Sequence, residues 1–118
     1  PSYATLSAIN MEVNFKPYKI NPNWPTPKEF AASPTADCKG FTLSKYYALR
    51  RAGWKANEVN IWSGDYQGRS HMLLVAKLEA NSYVLDIGSE SNLPLAKDYF
   101  YHNFVPSYRF NETGWETR

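Results

Sequence analysis

A chain of 118 residues with 43% hydrophobic side chains and a net charge of +2 is long enough for one domain around one modest core, and apolar enough to fold. The charge argues against a nucleic-acid partner, because such binders gather basic residues on one face, whereas the only concentration here is Arg50-Arg51 at an expected helix end. A single cysteine rules out an internal disulfide, two histidines at unrelated spacing give no zinc pattern, and no apolar run nears the roughly 20 residues of a membrane span.

Residues 1–118 therefore read as one domain, its core helped by four Trp, nine Tyr and six Phe, which bury large areas each. Leu6 to Val13 carries a weak helical pattern. Phe15 to Trp24, with Pro17, Pro22 and two Asn, reads as a surface connection. Thr26-Pro27-Lys28-Glu29 combines a cap, a Pro at the first helical position and a Glu three residues past the cap, announcing a short helix that Ser33-Pro34 ends near Ala32.

Asp37 opens the strongest helix, whose apolar positions Phe41, Ala48, Leu49 and Ala52, with Tyr46 and Tyr47, run to Gly53. Beyond it, Val59 to Trp62 reads as a short strand, Ser63 to Gly68 as a loop, His71 to Leu78 as a strand, Glu79 to Ser82 as a turn and Tyr83 to Ile87 as the returning strand. The remainder, through Tyr99-Phe100-Tyr101 and Pro106-Ser107-Tyr108, reads as irregular. A helix followed by consecutive strands on short turns predicts an α+β fold, an antiparallel sheet packed against the cysteine-bearing helix.

Cys38 stands in the first turn of that helix, where unpaired N–H groups and the dipole favour a thiolate. A hairpin turning near Glu79 places His71 opposite Asp86 or one diagonal step from it. Asp86 is an acid in an apolar strand and needs a partner, which His71 can be, since a carboxylate fixes an imidazole's tautomer and stabilises its protonated form. His102, Asp65 and Asp98 are weaker candidates: the first lies among aromatics without a strand partner, and the others read as loop residues.

Asp37-Cys38-Lys39-Gly40-Phe41, Ser70-His71-Met72-Leu73 and Tyr83-Val84-Leu85-Asp86, flanked by Trp24-Pro25-Thr26-Pro27 and Val105-Pro106-Ser107-Tyr108, together resemble the bacterial transglutaminase-like cysteine proteinases of the LapG type. The resemblance implies a shortened papain/transglutaminase-like fold and a cysteine peptidase with Cys38 as nucleophile, His71 as general base and then acid, and Asp86 as the orienting residue. Trp24, through its indole N–H, is a candidate oxyanion donor beside the Cys38 backbone N–H. The resemblance also implies a periplasmic or secreted enzyme acting on a protein or peptide, such as a bacterial surface or envelope protein, under a regulatory receptor; the sequence itself carries no signal peptide.

The family's usual Asp-Cys-Glu-Asp, whose acids bind calcium, is here Asp37-Cys38-Lys39-Gly40, and an ammonium and a hydrogen in place of oxygen ligands argue against calcium. No cofactor is expected. Asp37 suffices as a helix cap, and Lys39 reads as a solvated lysine or as a partner of the thiolate. A rival reading is a catalytically lapsed binding or regulatory module that keeps the fold, which thiol reactivity separates from an enzyme.

Overall fold

The computed structural model describes residues 1–14, 16–86, 95–97 and 104–117, of which 95–97 and 115–117 are described by backbone alone. Its helices are α1 (Tyr3–Val13), α2 (Pro27–Ala32) and α3 (Cys38–Arg51), and its strands are β1 (Val59–Tyr66), β2 (Arg69–Leu78), β3 (Asn81–Leu85), β4 (Leu95–Lys97), β5 (Phe104–Asn111) and β6 (Gly114–Thr117). The strands form one sheet in the order β4-β3-β2-β1-β5-β6, with antiparallel pairing throughout. This is the α+β arrangement expected from the sequence.

Local chemistry accounts for the helices. Ser2 accepts from the Thr5 N–H, which starts α1 three residues ahead of the apolar pattern. The capping box of α2 is complete: Glu29 N–H donates to Thr26 Oγ1 (3.1 Å) and Thr26 N–H to Glu29 Oε1 (3.0 Å). Past α3, Gly53 takes a left-handed conformation (φ 109°), and the Trp54 N–H returns to the Leu49 carbonyl at 3.1 Å.

The sheet is larger than the sequence suggested. The expected loop Ser63 to Gly68 is mostly strand, because β1 runs to Tyr66 and the reversal needs only Gln67 and Gly68, both at positive φ; Asp65, read as a loop residue, lies in β1 and accepts from the Gly68 N–H. Likewise Ser82 belongs to β3 and the turn is confined to Glu79 and Ala80. The segment around Pro106 is not irregular but forms β5, which pairs with β1 through a register shift at Ser63/Gly64. Ile87, Asp98, His102 and Tyr99 to Tyr101 lie outside the described residues.

Alternation along β2 divides the core between the two faces of the sheet. Met72, Leu74 and Ala76 join Leu6, Tyr46, Leu49, Trp54, Val59, Ile61 and Leu85 under α1 and α3, while Leu73 and Val75 pack with Val84, Trp62 and Phe104 in a second cluster. On α3 the buried face includes Lys45, 1% exposed, whereas Tyr47, read as part of the apolar set, is 41% exposed. Each residue of an α-helix advances 100°, so a face through Cys38, Thr42, Lys45 and Leu49 turns Tyr47 outward.

Candidate active site

Asp37 caps α3 by accepting from the backbone N–H groups of Lys39 (3.1 Å) and Gly40 (3.4 Å), leaving Cys38 as the first helical residue. The cysteine is free and partly exposed, at the margin of the main core. From β2, the His71 ring places Nε2 2.8 Å from Asp86 Oδ1, and the Cys38 side chain lies near enough to the ring to help raise its pKa. With Nε2 held by the carboxylate, Nδ1 is the ring nitrogen left to face the thiol.

The hairpin supplies this geometry. Leu74 pairs with Leu85, so the same register sets Asp86 beside Leu73, two residues from His71 on the same side of β2. This is the diagonal step anticipated from the turn, and it lies within reach of an imidazole and a carboxylate. Tyr66 and Phe104 flank the His71 ring at centroid distances of 5.6 and 6.3 Å.

Burial alone would push the His71 pKa down, yet its hydrogen bonds to Asp86 and Cys38 and their charges override that and raise it to about 9. The imidazolium is thus the form present at neutral pH, beside the sulfur.

Three side chains that sequence reasoning left out also reach this place. The Tyr18 hydroxyl lies close to Cys38; burial, then the nearby Cys38 and Asp37 charges, raise its pKa. Its segment is fixed by a parallel bridge to Ala36, with Lys19 N–H to Ala36 O at 2.9 Å and Ala36 N–H to Pro17 O at 3.1 Å. Lys45 and Asn14 both donate to the Asp86 backbone carbonyl, at 3.0 and 2.8 Å. An irregular stretch gave no periodic signal for Tyr18, and a lysine in a helix ordinarily reads as solvated.

The Trp24 ring tilts against Phe110 at 6.4 Å and, with Tyr108 and Phe110, walls an apolar groove of about 580 Å³. Lys39 is partly exposed, and its ammonium is engaged by Asp37, 2.6 Å from Oδ2.

A family model described as bacterial transglutaminase-like cysteine proteinase (BTLCP) matches residues 2–115. The chain belongs to that family. Among solved structures, calcium-bound Legionella pneumophila LapG superposes with a TM-score of 0.85 at 23% identity over 99% of this chain and 69% of that one. The EGTA-treated form of the same protein gives 0.86 at 23% identity over 100% and 68%. These likenesses establish the transglutaminase-like fold. No curated protein sequence matches the chain.

Calcium in that neighbour raises the question of whether this proteinase-family chain has donors for it. Both Asp37 oxygens are engaged, Oδ1 with the Lys39 and Gly40 N–H groups and Oδ2 with Lys39 Nζ and the Asn21 N–H at 2.8 Å. Burial raises the Asp37 pKa, but these hydrogen bonds and the Lys39 charge outweigh it and hold the carboxyl below its usual range. A Cβ at Gly40 would lie 3.2 Å from both Ala36 Cβ and Phe30 Cδ2 and 3.4 Å from Pro25 Cγ, so a carboxylate there has little room. Among the described residues no three His, Cys, Asp or Glu cluster as ligands. Asp37 and Gly40 therefore offer little toward the six to eight oxygens that Ca2+ takes.

Proposed function

We propose that the chain is a cysteine peptidase in which Cys38, His71 and Asp86 act as nucleophile, acid–base and orienting acid. The observation that carries this reading is the 2.8 Å bond from His71 to Asp86, with Cys38, at a helix N-terminus, close enough to the same ring to raise its pKa. The Cys38 thiolate attacks a peptide carbonyl carbon, and the carbonyl π electrons move onto oxygen. Collapse of that intermediate expels the amine, which takes the proton from the His71 imidazolium, and leaves a thioester. Water then attacks the thioester while His71 removes its proton, and Cys38 departs as thiolate. Asp86 keeps the ring aligned and stabilises its cationic form.

The Cys38 N–H is one donor for the developing oxyanion. For the second, Trp24 remains a candidate through its indole N–H, and the Tyr18 hydroxyl, close to Cys38, is another. The substrate is a protein or peptide, with a bacterial surface or envelope protein and a periplasmic or secreted setting under a regulatory receptor as the natural context from the family. None of the helices among the described residues is long and apolar enough to cross a membrane. Mass spectrometry of an envelope-protein mixture should find fragments produced by the wild type and absent with Cys38→Ala. An identical fragment set from both proteins would overturn the assignment and favour the lapsed module.

No calcium step enters this mechanism, and Lys39 provides the positive charge beside Asp37. Melting temperature and peptidase rate are expected to be the same in EGTA and in millimolar CaCl2. Lys39→Glu should destabilise the chain by about 1–3 kcal/mol through the loss of a charge-assisted bond to a buried carboxylate. A calcium-dependent rise in the wild-type melting temperature would contradict this.

A further inference from the structure

The least expected buried group is Lys45, whose side chain sits inside α3's packed face with 1% exposure. An ammonium in such a place costs several kcal/mol of desolvation, and a Met or Leu would fill the same volume without it. Its ammonium donates to the backbone carbonyl of Asp86, at 3.0 Å, and the Asp86 carboxylate attracts its charge. Burial nevertheless pushes its pKa down to about 7.

Asp86 lies one residue past Leu85, the last β3 residue to pair with β2. Its carbonyl is gripped by Lys45 Nζ from α3 and by Asn14 Nδ2 from the residue that ends α1. Lys45 follows Cys38 by seven residues, two helical turns, so both face the same side of α3, roughly 10.5 Å apart along the axis. One rigid helix thus carries the nucleophile at its start and a strut to the orienting acid two turns on.

We propose that Lys45, with Asn14, is a positioning clamp that sets the nucleophile helix and Asp86 in register, so that His71 meets both the sulfur and the carboxylate. The clamp rests on the reading of Asp86 as the orienting residue. The β2–β3 ladder ends at Leu85, and the two helices add a hold on the carbonyl of the next residue. Two donors on its carbonyl fix the peptide plane and, through it, the direction of the side chain. The price of a buried charge is then explained by geometry that a hydrocarbon could not supply.

The test is Lys45→Met, which keeps the volume and leaves the carbonyl bonded to Asn14. The melting temperature should stay within a few degrees of wild type, kcat should fall about 10- to 100-fold, and KM should change less than threefold. The downfield proton resonance of the His71 ring N–H held by Asp86 should shift or broaden, a signal that needs no peptidase activity. Should Lys45→Met fail to fold, Asn14→Leu removes the other half of the clamp and should give the same pattern. Unchanged kcat together with an unchanged resonance in the folded variant would overturn the clamp. A moved resonance in a protein whose wild type cleaves nothing would uphold the clamp and sink the peptidase reading instead.

Discussion

Iodoacetamide is expected to alkylate Cys38 at pH 7 roughly tenfold faster than it alkylates free cysteine, and His71→Ala should abolish the difference. Free cysteine reacts only through its small thiolate fraction, and a neighbouring imidazole that takes the thiol proton should speed the same reaction at Cys38. Peptide hydrolysis should fall further, by about 10³-fold or more, because His71→Ala also removes the proton that the leaving amine needs. The pH dependence follows from the direction of the His71 shift. Its hydrogen bonds to Asp86 and Cys38 carry the pKa to about 9 against the effect of burial, so the imidazolium persists through neutral pH and is lost as pH rises through about 9. The alkaline limb of kcat/KM should therefore lie near 9 and move downward in Asp86→Asn, which replaces the charged acceptor by a neutral one. Alkylation at the free-cysteine rate, indifferent to His71→Ala, would identify the chain as a lapsed module of its family.

Much of the site was legible in the sequence because short-range rules govern it. The cap at Asp37 decides that Cys38 opens a helix, and the position of a tight turn decides that His71 and Asp86 share a diagonal. What escaped was set by long-range packing. Lys45 looks like any helical lysine until β3 and α1 are brought to its tip, and Tyr18 lies in an irregular stretch that meets a single bridge, to Ala36, among the described residues. β5 was missed because Pro106 argues against a strand interior; the structure accommodates it at a register shift, where the ladder is already interrupted. Gly64 sent the same misleading signal, reading as a loop residue when it marks a close approach of backbones.

That close approach yields the largest expected effect on stability. A Cβ placed on Gly64 would collide with the Val105 carbonyl oxygen and lie 2.8 Å from Pro106 Cα, both backbone atoms that no side-chain rotation can move aside. Gly64→Ala should therefore force β5 away from β1 and cost about 3 kcal/mol or more, lowering the melting temperature by roughly 10 °C. Gly68→Ala, in the neighbouring turn, is the control. Nothing lies within 4 Å of its added Cβ, so only the left-handed backbone (φ 84°) opposes it, at about 1–2 kcal/mol. The consequence extends to the chemistry, since Gly64 pairs directly with His71 across the β1–β2 ladder, and Phe104 at the start of β5 meets the His71 ring at 6.3 Å. Pushing β5 outward should loosen one wall of the imidazole's seat, so whatever Gly64→Ala protein remains folded at low temperature should also show reduced kcat. Differential scanning calorimetry and rate measurements on the two variants check both halves, and a Gly64→Ala protein as stable as Gly68→Ala would show that the two strands separate at little cost and that the bulge does not brace the site.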